Sequence, residues 1–155
     1  METRLEQEPR ERRDRQRLDA LEAELAGVLT GRWLTADQEP DWIEPAVRAF
    51  WRLENDPAAQ LPGTAAPEAV AAWAAGLLAE HGVTGGGAVY LSTGTRARPW
   101  AECSTGRPDW LVRVRAAVPE SQLLLSSDLE RVAAVDEQDH TFDFHVSEVA
   151  ERLRG

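Results

Sequence analysis

Residues 85–100, GGGAVYLSTGTRARPW, mark the point where the chain changes character. Three glycines give backbone freedom, Ala88-Val89-Tyr90-Leu91 is a short apolar run, and a small polar loop with Arg96 and Arg98 follows. A strand is expected over 88–91, ending at a sheet edge. Upstream the apolar residues recur at helical spacing; downstream they come in short runs bounded by polar turns. Helices first and strands second predict an α+β domain: about three N-terminal helices packed on a mostly antiparallel C-terminal sheet, closed by a short C-terminal helix.

Upstream, Leu18, Leu21, Leu25, Val28 and Leu29 share one face of a helix expected from about Asp14 to Thr30, with Gly31 as its stop. Residues 1–17 have no apolar stripe and read as a frayed arm or a solvated extension of that helix; 18–155 read as a single domain. After a linker from Trp33 to Pro40, Asp41 is positioned to cap a second helix, Trp42 to Leu53, with Pro45 in its first turn. Ala58 to Ala66 is a Pro/Gly-punctuated loop. Pro67 opens a third helix through His81, with Val70, Trp73, Ala74, Leu77 and Leu78 inward and Gly82 as its stop.

Downstream, Trp110 to Val118 alternates in the manner of a half-exposed strand, and Leu123 to Leu125 is another apolar run. Val132 to Val135 and His140 to Phe144 flank Asp136-Glu137-Gln138-Asp139, which reads as a four-residue polar hairpin turn. Phe142 and Phe144 then face the core, and Thr141, Asp143 and His145 face out. Ser147 to Arg154 is the expected closing helix.

At 155 residues with 43% hydrophobic content, folding buries roughly 70% of the unfolded chain's surface without any staple. The longest uncharged apolar run, Ala69 to Ala79, is too short to span a bilayer. The charged N-terminus has no secretory h-region, and Cys103 is the single cysteine, so a cytoplasmic location is expected. All basic residues are arginine, and with abundant alanine this points to a GC-rich bacterial coding sequence. Net charge is −10. Residues 1–17 hold six arginines and five acids, or +1; the remainder has 11 arginines and 22 acids, or −11. Such a field disfavours nucleic acid and anionic lipid, serves solubility, and steers a basic partner inward.

The hydroxyls of Ser92, Thr93 and Thr95, with Tyr90, Arg96 and Arg98, are the best arrangement for an anionic or nucleotide-like ligand. The competing expectation is that these arginines pair with the chain's own acids. Gly85 to Gly87 lacks both the spacing and the lysine of a P-loop and reads as a flexible strand entry. Cys103 lies beside Glu102, which raises a thiol pKa and argues against a nucleophile. His140, Asp143, His145 and Glu148 are metal-compatible types, but the two histidines fall on opposite faces of one strand.

No catalytic set, metal site or cofactor motif is complete, and nothing in the motifs resembles a known family. The expected function is a small acidic, non-catalytic binding protein of antitoxin, immunity, inhibitor or adaptor type that covers a basic protein. The alternative is an enzyme or ligand-binding domain using the Tyr90–Arg98 loop. For the first, two tryptophans in expected loops beside arginines, Trp33 and Trp100, and the hairpin acids Asp136, Glu137 and Asp139 are the candidate interface. A homo-oligomer through the N-terminal helix is a further expectation.

Overall fold

Strong helix formers carry α1 (Arg4–Glu24) continuously through Pro9, and its buried Leu21 lies one turn before Leu25, buried just past the helix end. The computed structural model describes the backbone of residues 4–52 and 54–149, with side chains from residue 9 onward. Here α1 stops six residues before Thr30. Gly27, at φ +84°, takes the left-handed conformation that turns the chain, which the sequence pattern assigned to Gly31. Val28 is buried in that turn and Leu29 already begins a strand.

That strand, β1 (Leu29–Leu34), corrects the expectation that strands follow helices. Its register shifts between Leu29 and Trp33, and Gly31 sits in the irregularity at φ +93°. A 3-10 turn, Ala36–Gln38, leads to α2 (Ile43–Phe50), shorter than expected and preceded by Trp42 rather than Asp41 at the cap; Leu53 lies outside the described residues. The expected loop at 58–66 contains β2 (Ala59–Pro62). The third helix, α3 (Pro67–Glu80), begins at Pro67 as expected, and Gly82 at φ +75° follows it.

The remaining elements are β3 (Ala88–Ser92), β4 (Trp100–Ser104), α4 (Trp110–Ala117), β5 (Ser121–Ser126), β6 (Arg131–Glu137) and β7 (Thr141–Glu148). The expected strand at 110–118 is thus a helix. Its buried residues, Trp110, Leu111, Val114 and Ala117, follow helical spacing and line the core. Ser147 and Glu148, expected in a C-terminal helix, belong to β7; 150–155 lie outside the described residues.

Seven strands form one antiparallel sheet in the order β1-β4-β3-β5-β6-β7-β2. The class is therefore α+β, with four α-helices and an antiparallel sheet among the described residues. β3 is an interior strand, not an edge; the edges are β1 and β2, both from the N-terminal half. The two faces are unequally covered. On one, residues from α1, α3 and α4 pack with Val89, Leu91, Cys103, Leu124, Val135 and Phe144 in the larger core. On the other, α2 supplies Ile43, Ala46 and Phe50 against Leu34, Trp100, Leu125, Val132 and Ala134. Each fully buried Val, Leu, Ile or Phe side chain among these contributes about 1.5–3 kcal/mol. No helix among the described residues is long and apolar enough to cross a membrane.

Candidate functional site

The site is built around α2, which is tied to the sheet at both ends. Before it, Trp100 Nε1 donates to Glu39 Oε1 at 2.6 Å, and Trp42 Nε1 donates to the Leu129 carbonyl at 3.2 Å. After it, the Phe50 ring stacks on His145, with centroids 5.4 Å apart and planes at 23°. Trp51 stands edge-on to both rings, 6.2 Å from Phe50 and 5.9 Å from His145. Asn55 Nδ2 lies 3.3 Å from His145 Nδ1; with the amide donating, the imidazole carries its proton on Nε2. Burial pulls the His145 pKa below its ordinary value, opposed by the charges of Asp143 and Asp136.

Trp51 is 45% exposed and is the one exposed large hydrophobic side chain among the described residues. Two clefts open near the end of α2, and Trp51 lines the second of them. One, of about 340 Å³, runs under the end of α2 between Phe50, Asn55, Asp56 and His145. The other, of about 240 Å³, lies between Val47, Arg48, Trp51, Trp100 and Leu123.

Strand register fixes what lies next to these rings. Ala134 is opposite His145, and the next same-face row is Ser121, Asp136 and Asp143, with Gln60 beyond on β2. This row is not fully covered: Asp136 and Asp143 are half-buried and Gln60 is exposed. Asp143 accepts from Gln60 Nε2 at 3.0 Å and from Thr141 Oγ1 at 2.8 Å; Asp136 accepts from Gln138. Two residues along a strand put Asp143 about 7 Å from His145. The exposed indole thus packs edge-on to His145, whose own neighbours include two carboxylates that face each other across strands.

No family model, curated protein or solved structure matches the chain. What the arrangement can do has to be read from its own chemistry. A tryptophan face next to carboxylates suits a cation carried on an organic body, the guanidinium or ammonium of a protein side chain.

The other expected site residues are placed differently. Trp100 is 3% exposed in the α2-side core, so it is not available as a surface anchor; its place at the start of β4 points the ring under α2. Trp33 is half-buried on edge strand β1, with the Arg98 guanidinium 5.3 Å over its ring. The turn between β6 and β7 comprises residues 138–140, so Asp136 and Glu137 lie in β6 and only Asp139 is in the turn. Alternation sends Glu137 to the α4 side, away from Asp136. His145, expected to face out, is buried under α2. Trp51 and Asp143, which the sequence reading did not select, both lie near His145.

In the Tyr90–Arg98 loop the hydroxyls serve the loop itself. Thr93 Oγ1 donates to the Arg98 carbonyl at 2.7 Å, Thr95 Oγ1 reaches the same carbonyl at 3.1 Å, and both threonines are buried. α1 fastens this loop from outside: Asp14 Oδ2 accepts from the Arg96 amide at 3.1 Å, and Arg17 Nε donates to the Thr93 carbonyl at 3.2 Å. Ser92 lines the cleft beside Trp51. Tyr90 lies opposite Glu102 on β4, and burial followed by the Glu102 charge raises its pKa. Cys103 is fully buried, and desolvation, with Glu102 second, pushes its thiol up to about 12. Among the described residues no group of three or more His, Cys, Asp or Glu side chains is arranged to hold a metal ion.

Proposed function

We propose that this chain is a non-catalytic binding protein whose α2 face receives a basic segment of a partner protein. The observation that carries the reading is the exposed Trp51 ring packed edge-on to His145, with the cross-strand carboxylates Asp136 and Asp143 in the next row of the sheet. An arginine or lysine laid on the indole gains about 0.5–2 kcal/mol, more as water is excluded. The carboxylates hold a second cationic group of the same segment by charge-assisted hydrogen bonds. Charge around the site agrees: residues 39–56 carry five acids against two arginines, within a chain of net charge −10. The wider field brings the partner in, and the ring, partly packed already on Phe50 and His145, slows its departure.

Octa-arginine binding to the full chain tests this, read as association and dissociation rates. Association is expected to slow as the Debye length falls from about 30 Å at 0.01 M salt to about 10 Å at 0.1 M. Trp51→Ala raises the dissociation rate by about tenfold, the effect of an anchor worth about 1.4 kcal/mol. Asp136→Asn with Asp143→Asn slows association more than Asp19→Asn with Glu22→Gln, an equal change of charge on the exposed side of α1. Equal effects of the two pairs, with Trp51→Ala neutral, would reduce the acidic excess to a matter of solubility.

A further inference from the structure

On the opposite side of the sheet, the start of α3, α4 and the adjoining ends of β6 and β7 enclose a cleft of about 450 Å³. Its walls are Val70, Val112, Ala116 and Phe142, and two charged side chains reach it, Arg115 and Glu137. A volume of this order, mostly apolar with a few convergent polar groups, is the usual form of a small-molecule site, about 300–1,000 Å³.

Arg115 is held in a fixed pose. Its Nη1 donates to Gln122 Oε1 at 2.7 Å, and its guanidinium lies 5.4 Å from the Phe142 ring centroid. Gln122 is itself fully buried, and its Nε2 donates to the Val118 carbonyl at 2.6 Å, so its Oε1 is presented to the arginine. Among the described residues, no carboxylate comes within ion-pair distance of Arg115, although acids outnumber arginines 27 to 17 in the chain. Burial pulls its pKa down, and the charge of Glu137 works against that shift. A half-buried guanidinium anchored by a buried amide and an aromatic face, yet with no bridging carboxylate, leaves N–H donors for an anion brought from outside.

We propose that this cleft binds an amphipathic monocarboxylate, with its carboxylate on Arg115 and its apolar body against Val70, Val112, Ala116 and Phe142. A single guanidinium and apolar walls match one delocalised charge on a hydrocarbon or aromatic body. The neighbouring Glu137 selects against more highly charged anions such as phosphate esters.

The test is a titration of the full chain with 4-phenylbutyrate, followed by amide and side-chain NMR shifts, with 4-phenyl-1-butanol as the uncharged control. Saturable shifts are expected at Val112, Arg115 and Phe142, with the alcohol weaker by about tenfold or more, the size of one charge-assisted hydrogen bond. Arg115→Met weakens phenylbutyrate by a similar factor, and Glu137→Gln tightens it severalfold by removing a repelling charge. Arg115→Met also strips Gln122 of a partner, so the alcohol and the Glu137→Gln arms decide the matter without it. No saturable shift at about 10 mM probe, equal binding of acid and alcohol, or weaker binding in Glu137→Gln would each overturn the assignment.

Discussion

Replacing Trp100 separates a core tryptophan from an interface one. The side chain is 3% exposed and packs with Leu34, Ile43, Phe50, Leu125 and Val132. Trp100→Ala removes nearly the whole buried indole and leaves a void, which costs about 3–5 kcal/mol. For a domain of this size the midpoint of thermal unfolding falls by about 2–4 °C per kcal/mol, a loss of about 6–20 °C. Trp100→Phe keeps most of the packing but loses the 2.6 Å bond to Glu39. A hydrogen bond to a charged group is worth about 1.5–3 kcal/mol; Glu39 is half-exposed and regains water, so the low end applies, about 1.5. Trp51→Ala is the internal comparison, losing two edge-on ring contacts for about 1–2 kcal/mol. Urea unfolding followed by far-UV circular dichroism gives all three from the midpoint at constant slope. If Trp100→Ala costs less than about 1 kcal/mol, or no more than Trp51→Ala, the ring is not under α2 and the account of that face fails.

The buried His145 makes stability depend on pH. Its folded pKa lies below the ordinary 6.5, so as pH falls through 6.5 the unfolded chain takes up a proton that the folded chain does not; stability declines toward the folded pKa and levels beneath it. His145→Phe, which keeps a ring against Phe50, should flatten that part of the urea-stability profile, and an unchanged slope would locate the titration elsewhere. Cys103, fully buried with its pKa near 12, should react with iodoacetamide only at the rate of unfolding; rapid alkylation of the native chain would contradict its place between the sheet and its helices.

What the sequence made legible follows the reach of each signal. α3 is delimited by its own residues, Pro67 at the start and Gly82 after the end, and the Phe142/Phe144 alternation correctly places both rings on one core face. α4 was misread because Leu111 and Arg113 alternate; the stronger sign was Trp110, Leu111, Val114 and Ala117 at helical spacing, with Asp109 before them. β2 carries almost no signal of its own. It is a four-residue edge strand containing Pro62, and its pairing is decided by β7 about 80 residues later. Trp42, Val47, Phe50, Trp51 and Leu53 spread beyond one stripe, which predicts a helix packed on two sides or one with an aromatic exposed; the pattern does not say that the exposed ring is Trp51. Asp143 falls on the expected strand, but its juxtaposition with Asp136 depends on cross-strand register, which no local pattern encodes.

The placement of β1 and β2 at opposite margins of the sheet also orders events during synthesis. Each emerges from the ribosome long before its partner: β1 waits for β4, and β2 for β7, the last strand among the described residues. Until then two short segments with unsatisfied backbone groups travel with the nascent chain. What shields them is their own composition, the irregular backbone at Gly31 in one and Pro62 in the other, each of which resists pairing with a foreign strand. The middle of the sheet can zip from neighbours, because β3–β4, β5–β6 and β6–β7 are all joined by short connections. The finished sheet is therefore clasped at one margin by its final strand, and a chain ended early, before Thr141, would leave β2 with nothing to close against.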